Sequence, residues 1–218
     1  MKALRLIIES NYTKTNDQEF DDLNKTHAKL ISHYTGYNAD ENAYMRDYTG
    51  ASHGINNFHW KQHKGEEVSL VSKVPYEIRS QYIDSALAKH KTPMKLTVFS
   101  GVKGDPREKM NSEGVVHHPA YLSTSLNKRT GKDFGYDGEE SGGVSGGTQY
   151  GVHHVLKIKV PRGHPGAYVD DFSKNKGEHE FILPRGMNLR HIRTQTFQTH
   201  NENQNYTEII HEHHMEIV

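Results

Sequence analysis

The period of the hydrophobic and polar positions changes part-way along the chain. From about residue 17 to residue 92, apolar residues recur every three to four positions, which is typical of helices that bury one face. After Pro93 they gather in short runs separated by polar, glycine and proline residues, as in strands joined by turns. The pattern predicts an α+β fold in a single domain of 1–218. A helical lobe is expected over 11–92 and a mixed, largely antiparallel β-rich core over 93–218.

Within this frame the individual elements can be placed. Short helices are predicted at 40–48 and 55–61, interrupted at Gly50 and Gly54, and a longer one from Pro75 to about His90. Residues 131–151 are rich in glycine and serine and predict a mobile loop, which either lies over a ligand or is solvated and disordered. Strands are predicted at 4–9, 96–99, 120–126, 152–160, 167–169, 181–183, 188–197 and 206–218.

Composition narrows the possible functions. The 27 basic and 27 acidic residues cancel, so no basic field favours nucleic acid. Cysteine is absent, which excludes disulfides, thiolate nucleophiles and cysteine-bound zinc. Neither a signal peptide nor a membrane-spanning apolar run is apparent, so we expect no membrane partner and a cytoplasmic location. His211 and His213 share a face of the last predicted strand, but no third ligand is apparent and no metal site is predicted.

Two carboxylates stand close together in the segment 178–186, EHEFILPRG. Glu178 and Glu180 are two residues apart, directly before an apolar run that ends at a proline and a glycine. In an extended backbone they project to the same face, while His179 points away. Like charges this close repel, so a fold keeps them at an exposed edge or at a site that uses them. Taken alone, the pair more often marks a solvated strand edge.

Three consecutive hydroxyl residues, Ser123 to Ser125, lie in the strand-like run 121–126, YLSTSL. Alone, such a run is ordinary strand sequence, because threonine favours strands. Together with the paired carboxylates it suits cleavage of the bond between nicotinamide and ribose in NAD. The leaving group is already cationic, so no general acid is needed. The protein must instead stabilise an oxocarbenium-like transition state and orient the acceptor.

These requirements assign a role to each residue of the two motifs. We expect Glu180 to stabilise the transition state and Glu178 to bind an incoming guanidinium through charge-assisted hydrogen bonds. Ser123 is expected to position Glu180. Thr124 and Ser125 are expected to support the strand and the cofactor pocket.

The chain resembles the arginine-specific mono-ADP-ribosyltransferases of the toxin exoenzyme type, which include binary-toxin components and phage-encoded enzymes. The likeness covers roughly residues 27–190. It lies in 33–36 with 55–57, the first core strand 96–102, the Ser-Thr-Ser strand 120–126, and the segments 166–169 and 178–186. It implies a two-sheet core with an N-terminal helical lobe, NAD as substrate, no metal, and an arginine-bearing target protein. Phe134 would stack on the nicotinamide or, equally, anchor its loop.

One position departs from the family pattern. Where the family has an arginine that binds the NAD phosphate, this chain has Ser100, followed by Gly101. Either another cation replaces it, with Lys103, Arg107 and Arg129 as candidates, or NAD binds more weakly. Losing a charged phosphate contact costs about 1.5–3 kcal/mol, roughly ten- to a hundredfold in affinity.

Two alternatives to arginine transfer remain open. A degenerate member would bind a nucleotide or a protein without catalysis, although such a protein has no chemical need for the paired glutamates. An NAD glycohydrolase would use water as the acceptor. By analogy with phage enzymes, the expected target of a transferase is host transcription or translation machinery in the bacterial cytoplasm.

Overall fold

The computed structural model describes residues 25, 26, 28–30, 36–134, 141–145, 148–201 and 205–218. The chain divides into two compact units, Met1–Thr35 and Gly36–Val218. In the first unit, the described residues 25, 26 and 28–30 are helical. The strand predicted at 4–9 lies outside the described residues, and the assignment of 1–218 to one domain stays a prediction. All elements named below belong to the second unit.

Within the second unit, two helices form the helical lobe, α1 over Ala39–Lys64 and α2 over Leu70–Lys89. A capping box starts α1: the Asn38 side chain accepts from the backbone of Glu41, whose carboxylate accepts from the Asn38 backbone. The two short helices predicted here are one helix with a kink, because Ala51 alone leaves helical geometry (φ −156°, ψ 53°). The third prediction is confirmed, with α2 beginning five residues before Pro75.

Among the residues that the structure describes after Lys89, nine strands and one further α-helix follow. The helix, α3, covers Lys128–Asp133. The strands are β1 Leu96–Val102, β2 Val115–His118, β3 Leu122–Ser125, β4 Ser141–Ser145, β5 Thr148–Val160, β6 Ala167–Tyr168, β7 Glu180–Leu183, β8 Met187–Asn201 and β9 Tyr206–Ile217. The α+β class is confirmed. The loop predicted over 131–151 is wrong where α3, β4 and the start of β5 occupy it, and its residues 135–140, 146 and 147 lie outside the described residues.

The strands run in the order β2-β8-β9-β5-β1-β3-β7-β6, with β4 paired to β5. Every pairing is antiparallel except that of β5 with β9, which is parallel over 11 residue pairs. The ladders make one continuous sheet, but β1 and β3 are joined only at Phe99 and Ser125. In place of the two expected sheets there is one sheet, whose two ladders meet at a single residue pair.

The core lies between these ladders and the helices. Its largest fully buried side chains include Phe181 on β7, Ile158 on β5, Leu189 on β8 and Tyr121 directly before β3. Burial of such side chains contributes about 1.5–3 kcal/mol each, so packing stabilises the fold along with the hydrogen bonds of the sheet. Among the described residues, no helix is both long enough and apolar enough to cross a bilayer.

Candidate functional site

The paired glutamates and the three hydroxyl residues meet where β3 lies against β7. The two strands are antiparallel, with Ser125 opposite Glu180 and Thr124 opposite Phe181. The Thr124 hydroxyl donates to the Phe181 carbonyl at 2.5 Å. The Ser125 hydroxyl donates to the Glu178 carbonyl at 2.6 Å. The motif therefore fixes the backbone on both sides of Glu180.

Glu180 is the buried carboxylate of the pair, with only 3% of its surface exposed. Burial raises its pKa to about 8; the Ser123 hydrogen bond opposes this shift, and the charges of Glu178 and Asp170 add to it. No group in the described part of the chain hydrogen-bonds its Oε2 atom. A buried carboxylate oxygen without a donor is costly, so it is suited to meet a positive charge brought by a ligand.

A row of polar groups from α1 supports Ser123. Its hydroxyl lies 3.3 Å from that of Tyr48, which accepts from the Asn56 amide at 3.1 Å. In the structure the Ser123 hydroxyl donates to Tyr48. When Glu180 is ionised it can only accept, so the Ser123 proton turns to Glu180 and Tyr48 then donates to Ser123. Tyr48 is buried, and burial raises its pKa. It therefore keeps its proton and remains a donor at neutral pH.

The sequence had suggested that strand alternation places the two glutamates on one face. The structure does not hold them in this way. β7 begins at Glu180, and His179 has a φ of +50°, so the backbone between the glutamates is left-handed. The carboxylate of Asp170 accepts from the backbone of Gly177 and of His179, at 3.0 and 2.9 Å. The turn rather than the pleat positions Glu178, which is half-buried, with a pKa raised by burial and by the charge of Asp170.

The residues of β1 and β3 that were predicted to bind the cofactor are buried inside the protein. Ser100 is buried, and its hydroxyl donates to the Ser123 carbonyl at 2.8 Å across the junction of the two ladders. Gly101 is buried beside it in β1, and Thr124 is fully buried. The side chains of Ser100 and Thr124 thus bond to backbone in this structure, and their direct contact with NAD stays a prediction. Phe134 is half-buried at the end of α3.

The three candidate cations differ in their surroundings. Arg107 binds both carboxylate oxygens of Asp105, so its charge is already paired. Lys103 is exposed in the turn after β1. Arg129 is exposed in the first turn of α3, and no ion pair to it is found within the described residues. Because Ser125 also accepts from the Asn127 backbone at 2.9 Å, the start of α3 is tied to the site.

Tyr48, Asn56 and Asp170 were missed by the sequence reasoning. Tyr48 and Asn56 lie eight residues apart, so helical spacing places them two turns apart on one face of α1. That signal is weak, because the tyrosines of this lobe also fit a packing role. Asp170 directly follows the 166–169 segment of the resemblance, but its backbone acceptor role depends on a turn that no local pattern marks.

A sequence profile decides the family of the chain. The profile of the ADP-ribosyltransferase exoenzyme family matches residues 10–215. The chain belongs to this family. The predicted resemblance is thereby confirmed.

Other comparisons agree with this assignment to the ADP-ribosyltransferase exoenzymes. An NAD(+)–arginine ADP-ribosyltransferase of Enterococcus faecalis is 28% identical over 145 residues, 66% of this chain but 26% of that protein. The chain thus spans about a quarter of that relative. The fold matches Plx2a, a toxin of Paenibacillus larvae, at 20% identity and a TM-score of 0.64, covering 90% and 96% of the two chains. It also matches C3stau2 of Staphylococcus aureus, solved with NAD, at 17% identity and a TM-score of 0.54, covering 88% and 94%.

Proposed function

We propose that this chain transfers ADP-ribose from NAD to an arginine of another protein. One observation carries the proposal most directly: three consecutive hydroxyls bind the segment 178–181, leaving one buried oxygen of Glu180 without a donor among the described residues. Such a group stabilises positive charge. The family assignment and the arginine transferase from Enterococcus faecalis support the substrate and the acceptor.

The chemistry follows from the positions of the two glutamates. The bond between ribose C1′ and nicotinamide breaks, and its electron pair leaves with the neutral nicotinamide. Ionised Glu180 stabilises the cation that forms on the ribose. A guanidinium nitrogen attacks C1′ and loses a proton, which Glu178 accepts. The raised pKa of Glu178 favours this acceptance.

Arg129 is our candidate for the cation that takes the NAD phosphate. It lies four residues after Ser125, whose hydroxyl links the Glu178 carbonyl to the start of α3. Unlike Arg107, it has no carboxylate partner in the described part of the chain. Use of Arg107 instead would require breaking its contact with Asp105. The expected target remains a host protein of transcription or translation, and the cytoplasmic location likewise stays a prediction.

The decisive experiment compares Glu180→Gln with the parent chain, using labelled NAD and a small guanidino acceptor. Glutamine preserves the volume but not the charge, so we expect a rate loss of about 10²–10³-fold, corresponding to about 2.7–4 kcal/mol of transition-state stabilisation. Glu66→Gln, at an exposed position after α1, is the matched control and should leave the rate unchanged. Near-normal transfer by Glu180→Gln would refute the site.

The same assay separates the alternatives. Glu178→Gln should reduce transfer to the guanidino compound more than release of nicotinamide by water, because Glu178 serves the acceptor. Equal losses would mean that Glu178 serves NAD, and arginine specificity would lose its support. Nicotinamide release that no guanidino compound diverts would identify a glycohydrolase. No detectable NAD binding by the parent chain would favour the non-catalytic module.

A further inference from the structure

A cluster of two histidines and one aspartate lies on the sheet away from the glutamates. One nitrogen each of His154 and His213 and one carboxylate oxygen of Asp105 lie within 4.8 Å of one another. His154 is on β5 and His213 on the adjacent β9. Along the sheet, β7, which carries Glu180, is three strands from β5 and four strands from β9, roughly 14 and 19 Å at about 4.8 Å per strand. The cluster is therefore separate from the proposed NAD site.

Strand pairing explains why these three residues meet. The last residue of β1, Val102, lies opposite His154 on β5. Asp105 follows three residues later and caps the short 3-10 turn Pro106–Lys109. On the other side of β5, the parallel pairing places Leu156 opposite His213. The turn after β1 thus carries the carboxylate towards two imidazoles from adjacent strands.

The imidazole of His213 is held in a definite orientation. Its Nε2 lies 3.0 Å from Nδ1 of His154, and its Nδ1 lies 3.0 Å from the Thr194 hydroxyl. That hydroxyl is also 2.9 Å from Nε2 of His191. When Thr194 donates to His191, it accepts from Nδ1 of His213, which leaves a lone pair on Nε2. Without an ion this lone pair accepts from Nδ1 of His154, so ion binding requires His154 to adopt the tautomer that is protonated at Nε2. Metal-binding histidines are oriented by such outer hydrogen bonds.

We propose that Asp105, His154 and His213 bind a divalent transition-metal ion of the zinc class. Two imidazoles and a carboxylate match the donors that zinc takes, with a fourth position for water. Around a tetrahedral ion with bonds of about 2.0–2.1 Å, two ligand nitrogens lie about 3.3 Å apart. The two imidazole nitrogens, 3.0 Å apart, must separate slightly to reach this value, and the Asp105 oxygen, which lies within 4.8 Å of both, must settle at the same separation. The ion joins the turn after β1 to β5 and β9.

The guanidinium of Arg107 competes with the proposed ion for the carboxylate of Asp105. Its Nε lies 2.9 Å from each carboxylate oxygen of Asp105, and its terminal nitrogen lies 2.5 Å from Oδ2. An ionised carboxylate has about four lone-pair positions, and Asp105 already uses them for these contacts and for the Arg107 backbone N–H. The ion must therefore displace part of the guanidinium contact, and the two positive charges repel. Removing the guanidinium should therefore strengthen metal binding, whereas removing a ligand should weaken it.

His211 provides a matched control. It neighbours His213 on β9, and its ring stacks on that of His154 with centroids 5.0 Å apart, but it is not one of the three grouped ligands. A chain with 17 histidines also binds metal weakly at scattered places. A variant of His211 removes a nearby imidazole without removing a proposed ligand, so it separates the site from this background.

The test is a titration of the full chain, prepared without a histidine tag, with Co²⁺ followed by displacement with Zn²⁺. We expect one tight ion per chain, with the visible absorption of four-coordinate cobalt. His154→Gln and Asp105→Asn should each raise the dissociation constant by at least about 10–100-fold, the loss typical of even an outer partner. His211→Gln should leave it within a few-fold, and Arg107→Gln should lower it.

Two results would overturn the proposal. One is a parent chain that binds only several weak ions, without a saturable first site. The other is a first site that survives both His154→Gln and Asp105→Asn, which would place it elsewhere. Asp105 lies in a turn rather than in the core, so its variant keeps the test valid even where the His154 variant is unstable. Thermal unfolding with and without Zn²⁺ supplies a second readout, since an ion that binds only the folded chain raises Tm.

Discussion

At the scale of single residues, the protonation of Glu180 controls when the site can act. Burial raises its pKa to about 8, whereas the Ser123 hydrogen bond lowers it and the Glu178 charge raises it further. At pH 7 most free protein therefore carries a neutral carboxyl. Since the transition state needs the ionised form, the productive fraction grows as the pH rises towards the pKa.

The first prediction uses the pH profile of kcat/KM for NAD, which reports the free enzyme. In the parent chain it should rise with pH and level off above about 8. Ser123→Ala removes a hydrogen bond that favours the charged form, so its inflection should move to higher pH. Glu178→Gln removes a like charge, so its inflection should move to lower pH. Shifts of the same sign in both variants would contradict this account of Glu180.

The second prediction concerns Tyr48, which acts through Ser123 and is a positioning residue. Tyr48→Phe keeps the ring, which packs against Tyr121 with centroids 5.6 Å apart, but removes the hydroxyl. We expect a rate loss of about 2–12-fold, equivalent to about 0.5–1.5 kcal/mol for one hydrogen bond. The pH inflection should also move upwards, a shift that a merely structural role does not produce.

Tyr44→Phe is the control for this variant. Tyr44 lies on the same helix and stacks on Tyr82, away from the contacts of Ser123. It should leave both the rate and the pH profile unchanged. An unshifted pH profile in Tyr48→Phe would show that Tyr48 does not influence the pKa of Glu180 through Ser123.

The two glutamates and the three hydroxyl residues could be proposed as site residues from the sequence alone, because both motifs are contiguous and chemically distinctive. The sequence did not predict the contact between Tyr48 and Ser123, which are 75 residues apart. Such a contact depends on how α1 packs against the strands. Nor did it predict the buried hydroxyl of Ser100 donating to the Ser123 carbonyl, since polar side chains pair with backbone according to tertiary position rather than local pattern.

At the scale of elements, the clearest misjudged region is the glycine-rich segment after β3. α3 forms there because the Asn127 side chain accepts from the backbone of Arg129 and of Thr130, which caps the helix. Gly131 lies so close to β1 that an added Cβ would stand 2.6 Å from the Phe99 carbonyl oxygen. What looked like a flexible glycine is one required by close packing, and only the fold reveals that difference.

The third prediction tests the turn before β7, which depends on Asp170. Asp170→Ala leaves the backbone N–H groups of Gly177 and His179 without their acceptor. We expect a loss of about 1.5–3 kcal/mol in the free energy of unfolding, as for hydrogen bonds to a charged group, together with slower transfer to arginine. Urea unfolding and the guanidino assay measure the two effects.

Asp170→Asn is the matched variant, since its amide oxygen can still accept from both N–H groups. It should lose much less stability than Asp170→Ala. Asp170→Asn also removes a charge that raises the pKa of Glu180 and of Glu178. The inflection in its pH profile of kcat/KM should therefore move to lower pH. Equal destabilisation by the two variants would mean that charge, rather than hydrogen bonding, holds the turn.

At the scale of the whole molecule, the proposed NAD site lies at the junction of two ladders. β1 and β3 pair only through Phe99 and Ser125. The Ser100 hydroxyl adds one hydrogen bond across the junction, to the Ser123 carbonyl. The antiparallel character of the core was predictable from short strands with polar turns. The parallel pairing of β5 with β9 was not, because these strands are far apart in sequence and their register is set by the assembled core.

The last prediction is that Glu180 destabilises the folded chain at alkaline pH. Its pKa is about 8 when folded, against an ordinary value of 4.5, so between these values the folded state binds more protons than the unfolded state. The free energy of unfolding therefore falls as pH rises through this window. At about 1.4 kcal/mol per pKa unit, the penalty reaches on the order of 4–5 kcal/mol above pH 8.

Glu180→Gln removes the titrating group, so urea unfolding should show it more stable than the parent chain at pH 9 and nearly equal at pH 4. The gap should open between these limits. Glu178→Gln, at a half-buried position, should show a smaller gap. A variant that gains no stability at pH 9 would mean that the folded chain ionises Glu180 without a cost in stability. The buried carboxylate would then not be the strained negative charge that the transfer mechanism requires.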